Sequence, residues 1–306
     1  MEKFVIVDVP SPARGNLRIY GFRFGSGRPS VAVISGFRGD EITQLYSISQ
    51  IVSFLKEKQQ ENPYFIKGSI LIIPAVNIFG FNTGKRYFPE GTDIGKLFPG
   101  YTKGELAQRI AGGIFEHIKN VDYGIEVVAG EKSYDYVPHV KPLDVEESYL
   151  GEGVDFGLRY IYPVKEDLCN TTSLAYNWYR LGTKAFTILG GKTDILDSNV
   201  STIIKNSIIT FLSKKGVIDF PLKEEEKRYT FISEEMLTYI PSKKGGFFIS
   251  CKKAGDFVKK GELIFTIMDP LTGDNLYEEF SPKDGYIFRL FSKNLISQGE
   301  TACIIL

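Results

Sequence analysis

The sequence predicts an α/β protein with a mixed, mostly parallel sheet flanked by helices, followed by a small all-β sandwich. Three observations carry this expectation. Short apolar runs alternate with amphipathic helical periods over the first two-thirds of the chain. The composition turns polar and charged after Phe220. Beyond that point short strand-like runs return without any helical period.

The apolar runs at 31–35, 69–76, 124–128 and 185–189 are bounded by Gly, Pro or Asn, as buried strands are. Leu45, Ile48, Val52 and Leu55 fall at the spacings of one helix face, ending near Asn62-Pro63. Leu106, Ile110 and Ile114 form a second face, and Val200, Ile203, Ile204, Ile208 and Phe211 a third. Strands interleaved with helices imply a sheet covered on both faces, with ligands beyond the carboxyl ends of its strands. The boundaries read as a first domain over 1–220, a linker over 221–228 and a β domain over 229–306.

The β domain contains two echoing halves. Gly246-Phe247-Phe248-Ile249 precedes Val258-Lys259-Lys260-Gly261-Glu262, and Gly285-Tyr286-Ile287-Phe288 precedes Ile296-Ser297-Gln298-Gly299-Glu300. This quasi-repeat resembles the lipoyl/biotinyl fold. A carrier domain of that type presents a lysine on its central hairpin, and the corresponding stretch from Met268 to Asp274 has none. A swinging-arm role is therefore set aside in favour of a structural or pocket-covering module.

Bulk properties exclude several functions. Lys plus Arg equals Asp plus Glu at 37 each, so no long-range field favours nucleic acid or an anionic membrane. No apolar stretch approaches the roughly 20 residues that span a bilayer, and the N-terminus lacks a signal-peptide pattern. Cys169, Cys251 and Cys303 are odd in number and widely spaced, as expected for free thiols in the cytoplasm.

Four segments, in order, carry a more specific signal: 34–41 (Ile-Ser-Gly-Phe-Arg-Gly-Asp-Glu), 74–77 with Arg86 and 93–100 after it, 125–130, and 186–191. The set resembles the succinylglutamate desuccinylase/aspartoacylase family, a branch of the zinc carboxypeptidase superfamily, as a divergent member. That resemblance implies a zinc carboxypeptidase-like first domain and a metal-assisted amide hydrolysis, with a Glu taking the proton from zinc-bound water. It places the zinc ligands at Arg38, Glu41 and Val128 and the catalytic Glu at Ile188. Only Glu41 retains the family's residue type. A guanidinium has no lone pair to offer a metal, and valine offers none. The chain's two histidines, His117 and His139, lie at neither ligand position. Glu41 with Asp40 or Glu126 would attract a hard cation at most weakly.

No cofactor is therefore expected, although zinc is the family's. Arg86 matches the arginine that polarises the scissile carbonyl, and Lys96 replaces the arginine that binds the substrate carboxylate. Arg38, Arg86 and Lys96 are expected to converge with Glu41 on a positive, substrate-binding pocket suited to a small carboxylate. Arg38 and Glu41 either fill the zinc position or form a helix-terminal surface pair. His139 reads as structural, and His117 as a surface residue near a helix end. The expected function is a metal-free, catalytically degenerate homologue that binds a small carboxylate or a protein partner. That partner is a second copy or an active paralogue. The alternative is an active hydrolase of N-acyl amino acids or short peptides with atypical ligands.

Overall fold

A computed structural model describes residues 1–10, 15–143, 147–165, 170–222 and 228–306. Cys169 and most of the expected linker fall outside these. The chain divides into two compact units. The first comprises Met1–Val128, His139–Ile188 and Asp194–Phe231, and the second Ala129–Pro138, Leu189–Thr193 and Ile232–Leu306. The division therefore does not follow a single cut near residue 220. Strands Tyr134–Pro142 and Lys184–Gly191 are long enough to begin in one unit and finish in the other.

The first unit is built on β1 (Glu2–Val9), β2 (Leu17–Gly25), β3 (Ser30–Ser35), β4 (Ser69–Ile73), β5 (Tyr123–Val128), β6 (Tyr134–Pro142), β7 (Tyr160–Ile161), β8 (Lys184–Gly191) and β9 (Thr230–Phe231). The sheet order is β1-β2-β4-β3-β5-β8-β6. β3 pairs in parallel with β4 and with β5, whereas β1 and β2 form an antiparallel edge. The expected strands are all present. The run at 69–76 stops as a strand at Ile73 because Pro74 has no N–H for the ladder.

The helices are α1 (Ile42–Glu61), α2 (Ile78–Thr83), α3 (Leu106–Ile118), α4 (Glu147–Val154), α5 (Leu174–Arg180) and α6 (Ser198–Lys214). α1 and α6 cover a cluster with Val31, Val33, Ile125, Val127 and Ile188. α3 and α5 cover a second cluster with Ala32, Ile34, Ile73 and Trp178. Successive strand residues point to opposite faces, so the two clusters divide each strand by parity. Each fully buried Ile or Phe there is worth roughly 1.5–3 kcal/mol.

Two helix faces differ from expectation. α1 buries Thr43, Gln44, Ser47, Ile48, Ile51 and Leu55, so Leu45 and Val52 lie at the margin. The hydroxyls are satisfied: Ser47 Oγ donates to the Thr43 carbonyl one turn back (2.7 Å), and Thr43 Oγ1 to the Ile195 carbonyl far along the chain (2.9 Å). On α6 Ile203 is exposed, while Ser201 and Ser207 are buried with Ile204, Ile208 and Phe211.

The second unit contains β10 (Thr238–Pro241), β11 (Gly246–Ser250), β12 (Phe257–Val258), β13 (Leu263–Met268), β14 (Asn275–Phe280), β15 (Gly285–Phe291), β16 (Leu295–Ile296) and β17 (Thr301–Ile305). One sheet runs β14-β13-β11-β16, and in the other β15 lies between the start of β6 and β17, with β10 at the edge. The quasi-repeat is real in three dimensions. Glu262 and Glu300 each accept a backbone N–H three residues upstream, from Lys259 (2.9 Å) and Ser297 (3.1 Å). Gly261 and Gly299 take matching left-handed φ values of 81° and 83°. Among the described residues no helix is long and apolar enough to cross a membrane.

Candidate functional site

Tight backbone turns place the charged residues beyond the carboxyl end of β3. Gly36 has φ 69°, and a Cβ there would meet the Pro74 carbonyl and Ala75 Cα at 2.8 and 2.9 Å. Gly39 leaves no room for a side chain against the backbone of Gly80 and Lys85, and its N–H donates to the Arg86 carbonyl (3.1 Å). Buried Asn77 donates from Nδ2 to the same carbonyl (3.2 Å) and accepts the Gly80 N–H (2.8 Å). The segments at 36–41 and 77–86 are thereby clamped together.

On this base sit three ion pairs made by two arginines. Arg38 Nη1 donates to Glu41 Oε1 at 3.3 Å, while its Nε and Nη2 donate to Asp93 Oδ2 at 3.2 and 3.1 Å. The Arg38 N–H also donates to Glu41 Oε2 (3.2 Å). Glu41 is fully buried at the start of α1, so this is not a surface pair. Arg86 Nη1 donates to both oxygens of Asp40, at 3.2 and 2.9 Å, and the Asp40 side chain is 1% exposed.

Burial pushes the Glu41 carboxyl up to about 7, with the charges of Arg38 and Arg86 opposing the shift. Arg38 itself loses hydration, but Glu41 and Asp93 outweigh this and raise its pKa.

A second buried carboxyl lies on β5. Glu126 accepts a hydrogen bond from Thr187 Oγ1 (3.1 Å) and one from the Ala175 N–H in the first turn of α5. Burial raises it to about 7, with Thr187 and the charge of Arg38 opposing. Lys141 on β6 is half-buried. Desolvation lowers its pKa, the charge of Glu126 opposes that, and its Nζ lies 5.9 Å from the Tyr162 ring centroid.

The predicted residues are therefore only partly brought together. Arg38 and Glu41 pair, and Arg86 stands close enough for its charge to act on Glu41. Lys96 does not join them: it is exposed on a short 3-10 turn, Ile94–Lys96, with no ion-pair partner among the described residues. The expected positive pocket is corrected accordingly. Both guanidiniums are matched by carboxylates, with Glu126 in addition.

Val128 packs against the cluster under α3 and α5. Ile188 is fully buried in the opposite cluster with Ile125 and Val127, and its neighbour Thr187 is the β8 residue that reaches Glu126. His139 is buried with its ring 6.3 Å from that of Tyr162, and His117 is exposed in the last turn of α3. Asp93, Thr187 and Lys141 were not marked as site residues by the sequence; alternation along β6, which sets Lys141 on the face opposite core residue Val140, was the available signal.

The residues present do not fit zinc. The guanidinium of Arg38 is hydrogen-bonded to Glu41, the one residue of ligand type at the positions the resemblance implies, and Val128 has no donor atom. Among the described residues no group of three or more His, Cys, Asp or Glu side chains is arranged to hold a metal ion.

Residues 27–141 match the family model of the succinylglutamate desuccinylase/aspartoacylase catalytic domain. Over those residues the chain is similar to that family's catalytic domain. Solved structures of similar fold span nearly all of it. The product-bound ectoine utilization protein EutE (DoeB) from Ruegeria pomeroyi superposes with TM-score 0.78 at 18% identity, covering 99% of this chain and 94% of that one. A succinylglutamate desuccinylase/aspartoacylase from Rhodobacter sphaeroides gives 0.78 at 20%, covering 99% and 95%. A succinylglutamate desuccinylase from Silicibacter sp. TM1040 gives 0.78 at 18%, covering 99% and 94%. No curated protein matches the sequence. The fold is thus the mixed, mostly parallel, zinc carboxypeptidase-like sheet with helices, plus an antiparallel sheet towards the C-terminus.

Proposed function

We propose that this chain is a metal-free, non-hydrolytic homologue of the succinylglutamate desuccinylase/aspartoacylase family that binds a small carboxylate-bearing ligand. The bridging of Glu41 and Asp93 by Arg38 carries the reading, because a fixed cation stands on the one retained ligand. A metal approaching Glu41 would have to displace that guanidinium and tolerate its charge at close range. Lys141 supports the binding half. The residue is half-buried, its ammonium feels the charge of Glu126, and it makes no direct hydrogen bond to a carboxylate among the described residues. A ligand carboxylate would supply the acceptor it lacks.

Zinc analysis after exhaustive dialysis, together with thermal shift against N-acetyl amino acids and short dicarboxylates, tests both halves. Stoichiometric retained zinc would sink the metal-free reading. Ligand stabilisation unchanged in Lys141→Met would sink Lys141 as the anchor.

One observation favours a second reading. Glu41 and Glu126, both near 7, have the proton affinity of a general base working at neutral pH. An active hydrolase would cleave N-acyl amino acids or short peptides, and Glu126→Gln would abolish turnover with the fold intact.

A further inference from the structure

The end of the first unit's sheet where β3 and β4 begin holds a cleft that the candidate site does not use. The chain leaves β2 through Gly25-Ser26-Gly27, and this small-residue turn is flanked by Arg23 and Arg28. The register sets Gly25 beside Ser69 and Ser69 beside Ser30, and two residues along it aligns Arg23, Leu71 and Ala32. Leu71 and Ala32 belong to the cluster under α3, so Arg23, Ser69 and Ser30 share that helix's side of the sheet. With no side chain on Gly25 or Gly27, a cleft of about 310 Å³ remains between these strand ends and the last turn of α3. Its polar lining comes from Arg23, Ser26, Arg28, Ser69, His117 and Asn120. That volume suits a small ligand.

The charge of this lining has one sign. No Asp or Glu lines the cleft. Glu2 and Asp122 pair with Arg23 and Arg28 from outside it, at 3.4 and 2.6 Å, and each engages only Nη1. Nε and Nη2 of both guanidiniums make no hydrogen bond among the described residues. The Phe4 ring lies 4.6 Å from the Arg23 guanidinium and 5.9 Å from the His117 ring, and so supports both. His117 Nδ1 is 3.0 Å from the Gly113 carbonyl, which can only accept, so Nε2 is left for another partner. The dipole of α3 opposes an anion at this end, but its last carbonyls are already engaged. Phe115 accepts the Lys119 N–H and Ile118 accepts Trp178 Nε1, both at 2.9 Å. The same dipole favours the cationic form of His117.

We infer that this cleft binds the phosphate group of a small phosphomonoester, between the guanidiniums of Arg23 and Arg28 and the imidazole of His117. A planar carboxylate is satisfied by one guanidinium fork. A phosphate dianion presents three strong acceptor oxygens, which match donors arriving from β2, the turn after it and α3. The hydroxyls of Ser26 and Ser69 and the amide of Asn120 then suit hydroxyl groups on the esterified part. Ser30 starts β3, and the Arg38–Glu41 pair lies beyond its far end, so about 15–20 Å of strand separates the two sites. The inference is therefore independent of the carboxylate reading.

Isothermal titration calorimetry of the full chain tests it, with glycerol phosphate, inorganic phosphate and succinate as probes in a buffer free of other oxyanions. Glycerol phosphate should bind one to one, more tightly than inorganic phosphate and at least about tenfold more tightly than succinate. Arg23→Gln and Arg28→Gln should each weaken it about 10–100-fold, as loss of a charge-assisted hydrogen bond does. His117→Gln should weaken it as well. Arg18→Gln removes an exposed arginine from the other face of β2 and should leave the affinity unchanged. Circular dichroism checks each fold; if Arg28→Gln, which also loses the Asp122 pair, does not fold, Arg23→Gln and His117→Gln decide. No saturable binding of glycerol phosphate up to about 10 mM overturns the inference. So does binding that these variants leave intact, binding that Arg18→Gln weakens equally, or succinate binding as tightly as glycerol phosphate.

Discussion

Replacing Arg38 by alanine isolates the energetic role of the central guanidinium. The substitution removes three side-chain hydrogen bonds and leaves Glu41 buried beside no nearer cation than Arg86. Glu41 is already raised from 4.5 to about 7 in the folded protein. Its folded form therefore holds a proton that the unfolded chain releases, and the fold is penalised as pH rises from about 4.5 to about 7. That penalty is roughly 3 kcal/mol in the wild type above pH 7, at 1.36 kcal/mol per unit.

Arg38 limits the penalty, so its loss moves the Glu41 carboxyl higher still and adds destabilisation only where Glu41 would otherwise ionise. At about pH 8 the added penalty is bounded by about 1.4 kcal/mol, one unit above the wild-type value, so the variant should lose about 2–3 kcal/mol in all. At about pH 5 Glu41 is neutral in both proteins. The loss should then fall to roughly 1–2 kcal/mol, from the hydrogen bonds to the more accessible Asp93. Urea unfolding at both pH values measures the difference, and adding Glu41→Gln should recover most of it at the higher pH. An equal loss at both pH values, or no recovery in the double variant, would refute the buried-pair account.

Three further outcomes are expected. The double variant Arg38→His/Val128→His puts imidazoles at the two ligand positions that the family resemblance implies and should retain zinc after dialysis, measured by elemental analysis, whereas neither single variant should. Gly39→Ala places a methyl against the backbone of Gly80 and Lys85 and should cost on the order of 2–4 kcal/mol in chemical denaturation, as overpacking at an inflexible contact does. Thiol labelling of the native protein should modify exposed Cys251 quickly and spare Cys303, whose burial pushes its thiol up to about 12, until the chain unfolds.

Much of this architecture is legible in the sequence because the signals are local. β3, β5 and β8 announce themselves as apolar runs, and the Arg38–Glu41 pair follows from three-residue spacing at a helix start. The failures share a cause in long-range geometry. A continuous apolar strand hides its own phase, so Ile188 and Thr187 could not be assigned to opposite faces without their neighbours. Arg38 finds Asp93 and Arg86 finds Asp40 across 55 and 46 residues, a pairing that only the closed fold decides. Lys96 was expected inside because its neighbours resemble a motif, yet the 3-10 turn at Ile94–Lys96 buries Ile94 and turns the lysine outward.

The interleaving of the two units bears on how such a protein could arise. The chain passes between them at 128/129, 138/139, 188/189 and 193/194 before the final passage at 231/232. A gene fusion at one end would append a module crossed once. Here the second unit owns ten residues from one strand region and five from another, both encoded inside the first. Those insertions and the terminal β segment must have been retained together, so the two units are inherited as one piece rather than exchanged as separate modules.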